Sequence, residues 1–196
     1  MTRSATRELL TIGHSNLAAD RFVTLLKDAG VTAVADVRSV PFSRWCPWFS
    51  GKALAQRLAG EAMAYIALGD ALGGRPSDPR LYRDGVADYE AMAARAEFAA
   101  GLERVVDEMA HHRVCLLCAE REPLDCHRCL LVGRALAARG LALGHIRPDG
   151  TIEPHAATEQ RLLALAGEAD LFRDDAECLA HAYRRRAQAV AARIKA

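Results

Sequence analysis

The sequence predicts an α/β fold, a mainly parallel sheet of about five strands with flanking helices, and three observations predict it. Short apolar or β-branched runs alternate with longer amphipathic stretches, as in βαβ units. Alanine supplies 39 of 196 residues and aromatics only 6%, a balance that favours helices over an all-β sandwich. The residues best suited to chemistry mostly follow the strand-like runs, where open parallel sheets bind ligands.

The elements are justified in order. Leu9 to Ile12 is an apolar run that stops at Gly13-His14-Ser15, a first strand. Asp20 suits the cap of a helix to Ala29 with Phe22, Leu25, Leu26 and Ala29 on one face, closed by Gly30. Val31 to Val37 is β-branched enough for a buried parallel strand. A loop with Pro and Trp (Ser39 to Ser50) leads to a short helix around Ala53 to Ala59, and Met63 to Leu68 reads as a third strand. Residues 69 to 87, rich in Gly and Pro, read as one long loop, a length usually reserved for function or mobility. One helix is expected over Asp88 to Ala110, then a strand over Val114 to Cys118. Asp125 is the expected cap of a helix to Arg139, closed by Gly140. Leu141 to Ile146 is a fifth strand, and the Pro148-Asp149-Gly150 turn sets up a return strand at Thr151-Ile152. A helix near Thr158 to Ala166 follows. Residues 1–167 read as a single α/β domain, and 168–196 as a C-terminal helical extension.

Charge and cysteine content narrow the function classes. With 26 basic and 25 acidic residues the formal charge is +1, which gives no global field to recruit nucleic acid or an anionic membrane. No run approaches the ~18 apolar residues of a membrane span. The polar start, Met1 to Glu8, lacks the pattern of a signal peptide, so a cytoplasmic protein with reduced thiols is expected. In the extension, Asp174, Asp175 and Glu177 precede Arg184, Arg185, Arg186, Arg193 and Lys195. That order matches the helix macrodipole better than it makes a basic arm for nucleic acid.

Cys115, Cys118, Cys126 and Cys129 crowd into fifteen positions. Their Cys-x2-Cys spacing resembles a four-thiolate zinc site, but Cys115 and Cys118 would face opposite sides of a regular strand. If Asp125 caps the next helix, Cys126, His127 and Arg128 fall in its first turn, where free N–H groups and the dipole favour an anion or a thiolate. The segment then reads as a catalytic or redox thiol pair (Cys118 with Cys126), an anion-binding turn, or buried packing thiols; a mixed metal site with His14, His127 or His145 is a further alternative. His14 and Ser15 offer a base or an anion ligand after the first strand. Asp36 and Arg38 lie two apart on one face of the second and can simply pair. Arg44, beside Trp45, Trp48 and Phe49, forms a loop that can stack on a ring or pack as a lid. Gly73-Gly74-Arg75 can let backbone approach a ligand, with a turn as the default reading. His145 lies in or near the fifth strand, and His155 follows Pro154.

Five motifs occur in order: Thr11-Ile-Gly-His-Ser-Asn16, Asp36-Val-Arg-Ser-x-Pro41-x-Ser-Arg44, Tyr65 with Leu72-Gly-Gly74, Leu117-Cys-Ala-Glu120, and Cys126-His-Arg128. Together, over about residues 9 to 155, they resemble the DUF488 family. The resemblance implies an α/β protein of bacterial type with a site built from these motifs, and it carries no established reaction. Cys118, Glu120, Cys126, His127 and Arg128 match the family segment, whereas Cys115 and Cys129 look like additions. Ala67 stands where a polar or His residue is expected.

The leading expectation is a small enzyme, a thiol-dependent transferase or hydrolase, acting on a phosphate- or carboxylate-bearing substrate, with nucleotide-related compounds among the candidates. Cys118 or Cys126 would be the nucleophile, and His14, Asp36 or Glu120 would move protons. Ser15, Arg38, Arg44, His127 and Arg128 would hold the anion. No metal ligand is assigned, no cofactor is named, and no membrane partner or oligomeric state is implied. The alternatives are a non-catalytic nucleic-acid-binding module and a zinc-binding structural protein.

Overall fold

The computed structural model describes residues 8–167 and 174–193. A six-stranded sheet forms its centre. The strands are β1 (Leu9–Gly13), β2 (Ala33–Asp36), β3 (Ala64–Ala67), β6 (Val114–Cys118), β7 (Leu143–Ile146) and β8 (Ile152–Pro154); a separate two-stranded ribbon is β4 (Tyr82–Arg83) with β5 (Val86–Ala87). The sheet order is β3-β2-β6-β1-β7-β8, with every pairing parallel except β7 with β8. The helices are α1 (Ala19–Asp28), α2 (Gly51–Ala59), α3 (Gly69–Leu72), α4 (Tyr89–Ala93), α5 (Ala96–His111), α6 (Arg134–Ala137), α7 (His155–Ala166) and α8 (Asp175–Val190).

The period of two along the strands sorts the core into two layers. Leu10, Ile12, Val34, Cys115 and Leu117 pack with Phe22, Leu25 and Leu26 of α1 and Leu54 and Leu58 of α2. Leu9, Ala33, Ala35, Leu116 and Cys118 face the other way, against Phe98, Leu102 and Val105 of α5, Leu136 of α6, Leu162 of α7 and Tyr183 of α8. The sheet is thus covered on both faces, as the apolar strands require.

Several boundaries differ from expectation. Helix α1 begins at Ala19, and Asp20 lies in its first turn, where its carboxylate meets Arg57 rather than capping. Residues 69–87 hold α3, a 3-10 turn over Pro79–Leu81 and the β4–β5 hairpin. Asp84 and Gly85, with φ of 52° and 75°, make the tight left-handed turn of that hairpin. The single helix expected over 88–110 breaks at Arg95. Tyr89 and Met92 are buried in α4, and the next buried residue, Phe98, is six positions on, out of helical phase with Met92. Arg95 occupies the intervening place and pairs with Glu97, and α4 takes its cap from Asp88. The return strand predicted after Pro148 is present as β8.

The segment after β6 departs most. Asp125 does not cap a helix; it ends a 3-10 turn (Pro123–Asp125) whose cap is Glu122. Cys126 is extended and takes the capping place itself, its carbonyl accepting from Cys129 and Leu130. A π-helical stretch over Arg128–Gly133 then runs into α6. Such wide turns are uncommon and often sit at functional sites.

Of the extension, residues 168–173 and 194–196, including Lys195, lie outside the described residues. The rest packs onto the domain. Ala182, Tyr183 and Ala187 join the core, Asp174 caps α8, Arg184 pairs with Glu90, and Arg186 donates to the Leu124 carbonyl and to Asp125. These contacts are those of a docked helix. Among the described residues no helix is long and apolar enough to cross a membrane.

Candidate functional site

The carboxyl ends of β1, β2 and β6 lie side by side, and each hands a polar residue to the same cleft. Beyond β1 the parallel pairing continues for two residues, His14 N–H donating to the Cys118 carbonyl and Ser15 N–H to that of Ala119. His14 is buried and stacks on Phe49 with 4.2 Å between ring centroids. Its Nδ1 lies 2.9 Å from the Ser15 carbonyl, which only accepts, so Nδ1 carries the proton and Nε2 accepts from Arg38 Nη1 at 3.1 Å. Burial first, and the Arg38 charge second, lower the His14 pKa to about 4, so the ring is neutral at physiological pH.

Asp36, at the end of β2, grips Arg38 through Nε at 2.8 Å and Nη2 at 2.5 Å, and accepts from Tyr65 of β3 at 2.8 Å. The pairing of Asp36 with Arg38 is therefore real, yet it leaves Arg38 on the cleft wall. Of the five guanidinium N–H bonds, two go to Asp36 and one to His14, and the Tyr65 hydroxyl is also in hydrogen-bonding contact with the guanidinium.

Cys118, Glu120, Cys126 and His127 converge at the floor. Their donor atoms all lie within 4.8 Å of one another. Glu120 Oε2 is 2.8 Å from Cys118 Sγ and 3.2 Å from Cys126 Sγ, and Cys118 Sγ is 3.5 Å from His127 Nδ1. His127 donates from Nε2 to the Val37 carbonyl at 2.8 Å, so Nδ1 carries no proton in the neutral ring. Burial pushes the Cys118 thiol well up, and neighbouring Cys126 and Glu120 push it further. The cleft has a volume of about 310 Å³ and is walled by His14, Arg38, Phe42, Arg75 and Val190 as well as Cys118, Glu120 and His127. Cys126 sits behind them, 1% exposed.

Several of the residues singled out in the sequence lie outside the cleft lining. Arg128 does not line the cleft. It is 1% exposed and points inward, donating to the carbonyls of Glu120 and Arg121 and to Thr11. Buried carbonyls attract a guanidinium because it satisfies several acceptors at once. Arg44 lies outside the cleft, exposed, with its guanidinium 4.9 Å from the Trp45 ring centroid. Ser15 is half-buried, does not line the cleft, and donates to its neighbour Asn16. His145, too, is away from the cleft. It is held in a buried chain in which Thr11 meets His145 at 2.7 Å, His145 meets His155 at 3.0 Å, and His155 meets Tyr183 at 3.1 Å.

Arg75, Tyr89 and the C-terminal residues Val190 and Ala192 were not among the expected site residues. Gly73-Gly74 is more than a turn. A Cβ on Gly74 would lie 2.6 Å from His127 Cγ, so this glycine lets the backbone seat the imidazole.

The family model described as "Domain of unknown function DUF488" matches residues 18–135, which hold Asp36, Arg38, Cys118, Glu120, Cys126 and His127. The chain belongs to this family. Within DUF488 terms, the matched span supplies the floor of the cleft, whereas His14 precedes it and Val190 follows it. No curated protein and no solved structure matches the chain.

Proposed function

We propose that the cleft is the active site of a small enzyme acting on a phosphate- or carboxylate-bearing substrate in a reducing, cytoplasmic setting. The observation that carries this reading is Arg38. Its guanidinium is held rigid by Asp36 and lines the cleft together with Cys118, Glu120 and His127, where it can meet a ligand. Cys46, Cys115, Cys118, Cys126 and Cys129 are buried thiols outside any disulfide, which suits a reducing compartment. Neutral His14 and the Glu120 carboxylate are the proton-handling groups nearest the anion. A long polyanion is a poorer fit, since Arg38 is 5% exposed and Arg44 faces away on the loop.

Inorganic phosphate or a simple carboxylate at millimolar concentration is expected to raise the melting temperature of the wild-type protein through binding to the folded state. Arg38→Gln should abolish that rise, and equal stabilisation of both proteins would overturn the assignment. Arg44→Ala should leave the rise unchanged, and its loss would return Arg44 to the site.

A further inference from the structure

We infer that Cys118, Glu120, Cys126 and His127 form a site for one divalent ion of the zinc class on the cleft floor. The inference deepens the enzyme reading, and rests on it only for the statement that the ion serves a reaction.

Distances come first. Zinc holds sulfur at about 2.3 Å and nitrogen or oxygen at about 2.0–2.2 Å, so tetrahedral geometry sets ligand atoms roughly 3.3–3.8 Å apart. The four donors here already lie within 4.8 Å of one another, with three separations of 2.8, 3.2 and 3.5 Å. Donor chemistry comes second: two thiols, an imidazole and one carboxylate select zinc-like ions over magnesium or calcium, which take oxygen.

The surroundings fit ligands as well. Metal-bound histidines commonly donate their second nitrogen to a carbonyl or carboxylate, and His127 does so to Val37. The Arg128 backbone N–H points at Cys126 Sγ at 3.4 Å, and the Arg128 side chain fixes the Glu120 carbonyl. Among the described residues no Lys, Arg or His side chain forms an ion pair with Glu120; its carboxylate meets only the two sulfurs. Two thiolates and a carboxylate carry three negative charges, and a divalent ion removes two of them, with Arg128 and Arg38 nearby for the remainder. Such an ion is reachable from the cleft, which Cys118, Glu120 and His127 line. The two thiols then act as ligands and not as nucleophiles.

The spacing that resembled a four-cysteine site is split. Cys115 faces the opposite core layer. Cys129 groups with His145 and His155, whose donor atoms also lie within 4.8 Å of one another. That second group is fully buried, and its ring nitrogens are already paired with Thr11, with each other and with Tyr183. One ion per chain is therefore expected, not two.

The full chain, expressed with zinc in the medium and freed of loosely held ions by gel filtration, should carry one zinc per chain by elemental analysis. Cys126→Ser and His127→Asn should each lose it, and Cys129→Ala should keep it. If the ligand variants do not fold, cobalt(II) added to the metal-stripped wild-type chain should give thiolate-to-metal charge-transfer and tetrahedral d–d absorption. A wild-type protein that takes up neither ion stoichiometrically overturns the inference, as does zinc lost in Cys129→Ala but kept in Cys126→Ser. Arg38→Gln separates the two proposals, because it should keep zinc while losing phosphate binding. Zinc absent with phosphate binding intact would remove the metal alone. Zinc present without phosphate binding would remove the substrate reading alone.

Discussion

Gly13→Ala lowers the melting temperature by about 10 °C or prevents folding, and it disperses the cleft floor. Gly13 has no unusual φ; its requirement is purely one of space. A Cβ there would stand 1.7 Å from the Glu120 carbonyl oxygen and 2.9 Å from Arg128 Nη1. Backbone must move, and the carbonyl that moves is the one Arg128 holds. The guanidinium would then lose an acceptor while remaining buried, which adds the cost of an unsatisfied charged donor to the steric cost. Together these place the substitution among those costing about 4 kcal/mol or more, which corresponds to roughly 8–16 °C in a chain of this size. A calorimetric melting temperature within about 2 °C of wild type would contradict this account. Because Glu120 moves with its carbonyl, thiol alkylation at Cys118 should change in the same variant if it folds.

Acid weakens the fold well before the carboxylates titrate. His14 and His145 are both held neutral: burial, then Arg38, lowers His14 to about 4, and burial, then His155, lowers His145 to about 2. Burial lowers His155 as well. The chain through these rings has one polarity. Arg128 donates to Thr11, Thr11 to His145, His145 to His155, and His155 toward Tyr183, which itself donates to Glu159. Each histidine thus uses one nitrogen as an acceptor, which protonation would destroy. With folded pKa values below the unfolded value of about 6.5, the unfolded chain binds more protons as pH falls. The stability owed to His14 is full above the unfolded pKa and declines from about pH 6.5 to about pH 4, and that owed to His145 goes on declining to about pH 2. His127, raised against the opposing effect of burial by its contact with Cys126, works in the opposite sense. For His14 and His145 the loss by about pH 4.5 is on the order of 4–5 kcal/mol, a large share of an ordinary folding free energy. Urea unfolding midpoints at about pH 7, 5.5 and 4.5 should fall steadily, with about two protons taken up per chain on unfolding near pH 5. Because His127 acts in the opposite sense, the decisive comparison is with His145→Gln, whose stability should fall less between about pH 7 and about pH 4.5 than that of wild type. An equal fall in both would show that the ring is not held neutral.

The strand ends were legible because they depend on local pattern. Apolar runs closing on Gly-His-Ser, Asp-x-Arg and Cys-Ala-Glu mark where parallel strands stop, and all three reach one cleft. Arg128 was misread for a physical reason. At a helix start an arginine looks like an anion ligand, and nothing nearby shows that Thr11, 117 positions away, and two loop carbonyls will claim it. The cysteine spacing was legible by contrast, since the period of two along a strand already sets Cys115 and Cys118 on opposite faces. Arg75 and Val190 were invisible for want of a local signal: one follows a glycine pair and the other ends a distant helix, and only tertiary packing brings them to the cleft.

Strand β6 lies between β1 and β2, although it follows both in the chain by about eighty residues or more. During synthesis the first two strands therefore emerge with a vacancy between them that no segment before residue 114 fills. Closing so long a loop is entropically costly, and sheets built from distant segments fold slowly. Until β6 inserts, both neighbouring edges are open to pairing with other chains. The strand that completes the sheet is also the one that delivers Cys118 and Glu120, so in a newly made chain the cleft floor forms only when the sheet closes.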